Sequence, residues 1–331
     1  MNAHGSHTAP PPSAPTTPAA PPAGAAGTWR LGDHTVNRLG FGAMRLPSRV
    51  ALQPGLPSRD RESAIRVLRT AVDLGVNHID TAAFYFSPLR SANELINTAL
   101  APYPDELLIV TKVGPGREPG GRWVPWARPE QLRGQVEENL RQLGRDHLDV
   151  VNLRVNGETE IAEHFGALAD LRRDGLIRHL GLSNVNPDHL AQAEPIAPVV
   201  CVQNRYGLAE RDPARDGMLR LCAERGIAFV PFYAIAGEGR ERGAAPDGQG
   251  SDPAQAPLRE IAGAHGATPA QIRLAWTLHQ GPHVLAIPGT GDPAHLAENV
   301  AAAAIRLGPE ELARLGATPP PVTPTNPATP D

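Results

Sequence analysis

Residues 107–153 read LLIVTKVGPGREPGGRWVPWARPEQLRGQVEENLRQLGRDHLDVVNL. Residues 107–112 are a short apolar run of the kind that forms a buried strand, and residues 148–153 are another. Between them, residues 114–129 are crowded with Gly, Pro and charge, the composition of a loop. Residues 130–143 then carry apolar side chains at three-to-four spacing, which buries one stripe of a helix. Strand, loop, helix and strand in that order make a βαβ unit, whose two strands run parallel because the crossover returns the chain to its starting edge.

The same alternation continues on both sides. Strands are expected at residues 38–43, 76–81, 179–184, 199–203, 227–232 and 284–289, and helices at 61–74 and 161–174. Eight strands alternating with helices predict an α/β fold, the closed (β/α)8 TIM barrel. A second long loop is expected at 237–257, and like 114–129 it follows the C-terminal end of a strand, where such barrels build their active sites. Residues 1–27 are dominated by Ala, Pro, Thr and Ser, and residues 318–331 are Pro-rich. Neither segment holds enough apolar side chain to offset its ordering entropy, so both are expected to be disordered tails around one barrel over 28–317.

A formal charge of −4 leaves no broad basic face, which argues against a nucleic-acid partner. The N-terminus lacks a basic-then-apolar leader, and no apolar run is long enough to span a bilayer. A soluble, cytoplasmic protein acting on a small molecule is therefore expected, with no membrane partner. Cys201 and Cys222 lie in apolar segments, and His147, His164, His265 and His279 show no ligand spacing, so no metal is expected.

Asp80, Lys112, Arg154, Ser183, Asn184 and Gln203 each stand where an apolar strand gives way to a loop, and in a barrel those ends converge. Singly, such an Asp is usually a helix cap and such a Lys a solvated side chain. Together they suggest chemistry. Tyr85 follows Asp80 by about a turn, and an ammonium beside a phenol favours the phenolate, so Lys112 is expected to lower the pKa of Tyr85. Asp80 would hold Lys112 by a charge-assisted hydrogen bond. A phenol so placed donates a proton to a carbonyl oxygen as hydride reaches the carbon. Trp123 and Trp126 either line an aldehyde pocket or pack on the barrel rim.

HIDTAAFY (78–85), IVTK (109–112), HLGLSN (179–184), VCVQN (200–204), and IPGT followed by HLAEN (287–299) resemble the aldo-keto reductase superfamily in order and interval. The resemblance implies reduction of a small-molecule carbonyl with NADPH, and makes Asp80, Tyr85 and Lys112 three of four catalytic residues. The fourth, histidine in the family, is Arg154 here. Its fixed fork donates to a carbonyl oxygen or an anionic substituent but does not readily exchange a proton. The resemblance also places Ser183, Asn184 and Gln203 at the nicotinamide carboxamide, Phe232 on the ring, and Gly42 and Met44 beneath it. Thr290 and His295 fall near the 2′-phosphate, and Glu298 and Asn299 near adenine.

Two departures stand out in the cofactor segments. His295 takes the place of a family arginine beside Asp292, which reduces the positive charge offered to a 2′-phosphate and brings NADH into play as well. Ala234 replaces the proline that follows the stacking aromatic. NRLGFGAM (37–44), DVVNLR (149–154) and Pro231-Phe232 are similar to the pyridoxal reductase branch. That likeness implies an aromatic aldehyde whose ring oxygen accepts from Arg154. A nicotinamide-binding regulatory subunit and a natural-product enzyme with altered chemistry would keep the same pocket; intact Asp80, Tyr85 and Lys112 favour catalysis.

Overall fold

The computed structural model describes residues 22–48, 59–235 and 255–317. Seven barrel strands pair in parallel and in chain order: β1 Phe41–Gly42, β2 His78–Asp80, β3 Leu108–Val113, β4 Leu148–Arg154, β5 Ile177–Ser183, β6 Val199–Gln203 and β7 Ala228–Phe229. The eighth place is taken by residues 284–286. They bridge Phe229 through Val284 and Leu39 through Ala286. Leu285 donates its amide to the Phe229 carbonyl at 2.9 Å, and Gly40 donates to the Ala286 carbonyl at 2.8 Å, so the barrel closes. The strand expected at 284–289 is thus a short two-sided bridge, and Pro288, which has no amide hydrogen, cannot extend it.

Among the described residues, ten helices wrap or cap this barrel: α1 Arg61–Asp73, α2 Ala92–Leu100, α3 Leu132–Leu143, α4 Ala162–Arg173, α5 Pro187–Ala193, α6 Pro213–Arg225, α7 Ala256–Ala264, α8 Pro269–Leu278, α9 Pro293–Ala301 and α10 Pro309–Ala317. Local chemistry sets their ends. Asp60 caps α1 by accepting from the Ser63 amide at 2.7 Å, and α3 stops at Gly144, which adopts the left-handed conformation at φ 63°. The loop expected at 114–129 is partly ordered as a ribbon, Gly116–Arg117 against Trp123–Val124. Pro257 belongs to the first turn of α7, where its missing amide hydrogen costs nothing; the rest of the expected 237–257 loop lies mostly outside the described residues.

Two features precede the first barrel strand. Pro22–Ala26 form a 3₁₀ turn in which Ala23 is fully buried and donates its amide to the Leu74 carbonyl at 3.1 Å. Residues 22–27 therefore belong to the fold, a correction to the tail expected at 1–27; one packed alanine and its backbone bonds leave no compositional trace. The remaining tail residues lie outside the described ones. Thr28–Leu31 then pairs antiparallel with His34–Asn37. Leu31 and Val36 of this hairpin join Leu108, Val110, Val150 and Cys201 in one buried cluster, closing the end of the barrel away from the polar strand ends. No described helix is long and apolar enough to cross a membrane.

His78 on β2 is buried, its ring fills the space a Gly40 side chain would need, and neither ring nitrogen makes a hydrogen bond of good geometry. Burial pushes its pKa down to about 4, and the Asn37 backbone offsets only part of this. An unfolded chain binds that proton near the ordinary histidine value, so the unfolded state takes up more protons as pH falls from about 6.5 towards 4. Stability contributed by the neutral ring is full above about pH 6.5 and is lost on acidification, amounting to about 3 kcal/mol across the window. Urea unfolding at pH 7 and pH 4.5 checks this: the drop should shrink in His78→Phe, and an identical drop in the variant would assign it elsewhere.

Candidate active site

Alternate residues of a strand face the same side. The inward positions Leu108 and Val110 therefore continue to Lys112, Val150 continues through Asn152 to Arg154, and Cys201 continues to Gln203. Register sets these side by side: Asp80 pairs with Val110, Lys112 is next to Asn152, and Arg154, Ser183 and Gln203 lie abreast. Apolar layers lower in the barrel thus give way to a polar layer at the C-terminal mouth. At Gly181 a side chain would collide with the Asn152 amide and the Cys201 sulfur. Its absence lets Asn152 reach across β5 to Gln203, Nδ2 to Oε1 at 3.4 Å.

Outside the barrel wall, the strands that carry the site are tied to their helices. Thr81 and Asn93 hydrogen-bond at 2.7 Å, Asn93 donates to Asn139 at 3.0 Å, and Thr111 donates to the same Asn139 oxygen at 2.6 Å. This buried network locks β2 and β3 to α2 and α3.

The centre of the site is an ion pair. Lys112, only 2% exposed, donates from Nζ to both Asp80 carboxylate oxygens at 2.7 Å and to the Thr81 carbonyl at 3.0 Å. Gln203 adds a hydrogen bond from Nε2 to Asp80 Oδ2 at 2.9 Å. The Lys112 ammonium lies 4.9 Å from the centre of the Tyr85 ring, which is 7% exposed and meets Phe84 edge to face. Arg117 donates to the carbonyls of Phe84 and Phe86 at 3.2 and 3.0 Å, pinning the segment on both sides of Tyr85. The Tyr85 pKa is raised: burial dominates, and the charge of Lys112 offsets only part of it. This corrects the expectation of a lowered value. A phenol kept neutral retains the proton an acid must give.

Arg154 is half-buried, donates from Nη1 to Ser183 Oγ at 3.3 Å, and sits over the Phe232 ring with its Cζ 5.5 Å from the centre. Asn184, held at φ 60°, donates from Nδ2 to the Val155 carbonyl at 2.8 Å.

Two adjoining chambers open at this end. The first, about 360 Å³, is lined by Asp80, Tyr85, Lys112 and Arg154 together with Gly42, Met44 and Trp123. Ser183 and Asn184 do not line it, whereas Gln203 and Phe232 do. The second, about 340 Å³, is lined by Thr290, His295, Glu298 and Asn299 between α8 and α9. Arg45, Tyr233, Ile287 and Gly289 border both, so the chambers meet at a common waist. Trp126 instead packs on His164, ring centres 4.5 Å apart.

Sequence reading missed Arg45, Phe84, Asn156, Tyr233 and Arg273 as lining residues. Arg45 and Asn156 lie within two residues of Met44 and Arg154, a signal that strand ends carry. Arg273, inside a helix, has no such signal.

A parallel barrel with a buried phenol, ammonium and carboxylate at its mouth, opening onto an elongated two-chamber cleft, defines a barrel enzyme that acts on a small molecule. The aldo/keto reductase family profile matches residues 38–318, and the chain belongs to that family. It is 44% identical over 301 residues to the pyridoxine 4-dehydrogenase of Escherichia coli, covering 88% of this chain and 98% of the relative. An aldo-keto reductase of Klebsiella pneumoniae solved with NADPH superposes with a TM-score of 0.72 at 30% identity, covering 89% of this chain and 96% of that one. A glycerol dehydrogenase of Gluconobacter oxydans superposes at 0.74 with 25% identity, covering 92% and 99%. Family membership makes the chain an oxidoreductase of carbonyl chemistry.

Proposed function

We propose that this chain reduces an aromatic aldehyde of the pyridoxal type to its alcohol with NADPH, Tyr85 giving the proton. The observation that carries the reading is the buried Asp80–Lys112 pair set against the Tyr85 ring in the first chamber. The dehydrogenase of Escherichia coli, named for the alcohol of that pair, supports the substrate class. The paired chambers suit a long ligand with an aromatic group at each end: Phe232 and Tyr233 face one, and Thr290, Glu298 and Asn299 the other.

Residues lining the two chambers would hold the reduced cofactor, which would supply a hydride to the carbonyl carbon. Tyr85 donates its proton to the carbonyl oxygen, and Lys112, oriented by Asp80, stabilises the phenolate left behind. Gln203 holds Asp80 in place for this task and faces the nicotinamide end, with Ser183 acting through Arg154 and Asn184 bracing the β5 terminus. Gly42 and Met44 form the floor. Arg154 receives the anionic ring oxygen of the substrate as Phe84 and Trp123 flank its ring.

Oxidation of NADPH by the purified protein with pyridoxal, benzaldehydes and aliphatic aldehydes tests the reading, and tight cofactor binding without turnover would turn it towards a regulatory role. Arg154→Leu tests the substrate assignment. It should reduce the preference for pyridoxal over benzaldehyde in kcat/KM by roughly tenfold or more, the size of one charge-assisted hydrogen bond. An unchanged ratio would remove Arg154 from substrate selection.

A further inference from the structure

Resting on the reading of Tyr85 as proton donor above, we infer that Arg117, on the ribbon that follows β3, is the positioning residue that sets the Tyr85 phenol for proton transfer. Tyr85 lies between β2 and α2 and belongs to neither, so its place depends on what holds its backbone. Its own amide donates to the Ala82 carbonyl at 3.0 Å, and its carbonyl accepts from the Ala92 amide at 2.9 Å. The carbonyls on either side, those of Phe84 and Phe86, accept from Arg117 instead, and a single guanidinium nitrogen, Nη1, serves both. The Phe86 ring packs on the same guanidinium, its centre 4.5 Å from Cζ. Three successive carbonyls around the acid are thus occupied, and two of them depend on one side chain from a different loop.

The origin of that side chain gives it a role beyond packing. Lys112 stands near the end of β3, and Arg117 lies on the first arm of the ribbon that leaves it. The base of the ribbon is fixed to α3, because Gln135 accepts from the Gly114 amide at 2.8 Å and donates to the Gly114 carbonyl at 3.2 Å. One anchored stretch of chain therefore presents both the ammonium beside the Tyr85 ring and the guanidinium that holds its backbone. For the Tyr85 segment to move relative to Lys112, Arg117 must let go. Arg117 does not line the first chamber, so it acts through its neighbours and not on the substrate. Its Nε donates to the Gly121 carbonyl at 3.4 Å, and its Cζ is 5.7 Å from the centre of the Trp123 ring, which lines the chamber and meets Phe84 at 5.6 Å. A guanidinium suits this post because it joins several donors in a planar fork to a face that stacks on aromatic rings, whereas an ammonium has donors without the face. Reaction rates depend steeply on such placement: a displacement of about 1 Å can cost roughly a hundredfold.

The test asks whether Arg117 acts through the Tyr85 hydroxyl. Single-turnover oxidation of NADPH by a saturating aldehyde is measured for the wild type, Arg117→Met, Tyr85→Phe and the double variant, beside the aldehyde KM of each. Arg117→Met should slow the chemical step by roughly ten- to a hundredfold, a larger change than any in KM. In the Tyr85→Phe background the same substitution should change the rate by less than about twofold, because no phenol remains to be misplaced. Arg117→Lys keeps donors for the two carbonyls and should lose less; put through the same cycle, it decides the matter where Arg117→Met does not fold. Equal slowing in both backgrounds would mean that Arg117 serves the fold as a whole and would overturn the inference. So would an unchanged rate with a raised KM, which would assign Arg117 to the substrate wall through Trp123. A Tyr85→Phe variant as fast as the wild type overturns the proton-donor reading and the inference with it, whereas a wild type that turns over no aldehyde overturns the reductase reading itself.

Discussion

Tyr85→Phe is expected to lower kcat for aldehyde reduction by about a hundred- to ten-thousandfold while leaving NADPH affinity nearly unchanged. The variant removes one oxygen and keeps the ring, so the edge-to-face contact with Phe84 and the approach of Lys112 survive. What disappears is the proton that neutralises the alkoxide as hydride arrives. Burial raises the Tyr85 pKa in the free protein, so the phenol is protonated throughout the neutral range and acid supply is not limiting there. Lys112 and Arg154 both act to lower that pKa, and their charges matter most once the phenolate begins to form. Rapid-mixing measurement of NADPH oxidation with a saturating aldehyde reads the chemical step, and a fluorescence titration reads binding. Loss of both together would mean that Tyr85 shapes the cofactor pocket; loss of neither would mean that the acid is another group.

The positions of Asp80, Lys112, Arg154 and Gln203 are legible in the sequence because two simple periodicities carry them. A strand alternates its faces, and a parallel barrel gathers every strand's C-terminal end at one mouth, so a polar residue at the end of an apolar run has few places to go. The same rule fails where strands are shortest. β1 and β7 each hold two residues, residues 284–286 form bridges, and the Thr28–Leu31 hairpin lies in polar, Gly-rich sequence where alternation is too brief to see. Arg273 is illegible for another reason. Helical periodicity assigns it a face of α8, but only the packing of α8 against α9 makes that face a chamber wall. The direction of the Tyr85 shift could not be read either, since proximity to Lys112 is visible in the spacing of motifs whereas the depth of burial that outweighs it is a property of the closed barrel. Ser183 and Asn184 show the converse limit: their strand-end position is as expected, but Arg154 and the Val155 carbonyl engage their side chains.

Lys112→Met should cost both stability and activity, and the two losses should separate in a double variant. Asp80 and Lys112 are almost wholly removed from water, so deleting the ammonium strands a carboxylate that has Gln203 as its remaining side-chain donor. Breaking such a pair destabilises by about 3–5 kcal/mol, roughly a 10 °C fall in Tm for a chain of this size. Adding Asp80→Leu removes the stranded charge, and a well-packed apolar pair is often as stable as the ion pair it replaces. The double variant should therefore recover most of the lost Tm. Its turnover should remain depressed by about a hundredfold or more, because nothing then stabilises the Tyr85 phenolate in the transition state. Thermal melts of the two single variants and the double variant, beside kcat for each, close the cycle. Activity returning together with stability would mean that the pair serves the fold alone. Stability returning without activity assigns Lys112 to the chemistry, with Asp80 retained to make a buried ammonium affordable at the one position where the mechanism requires it.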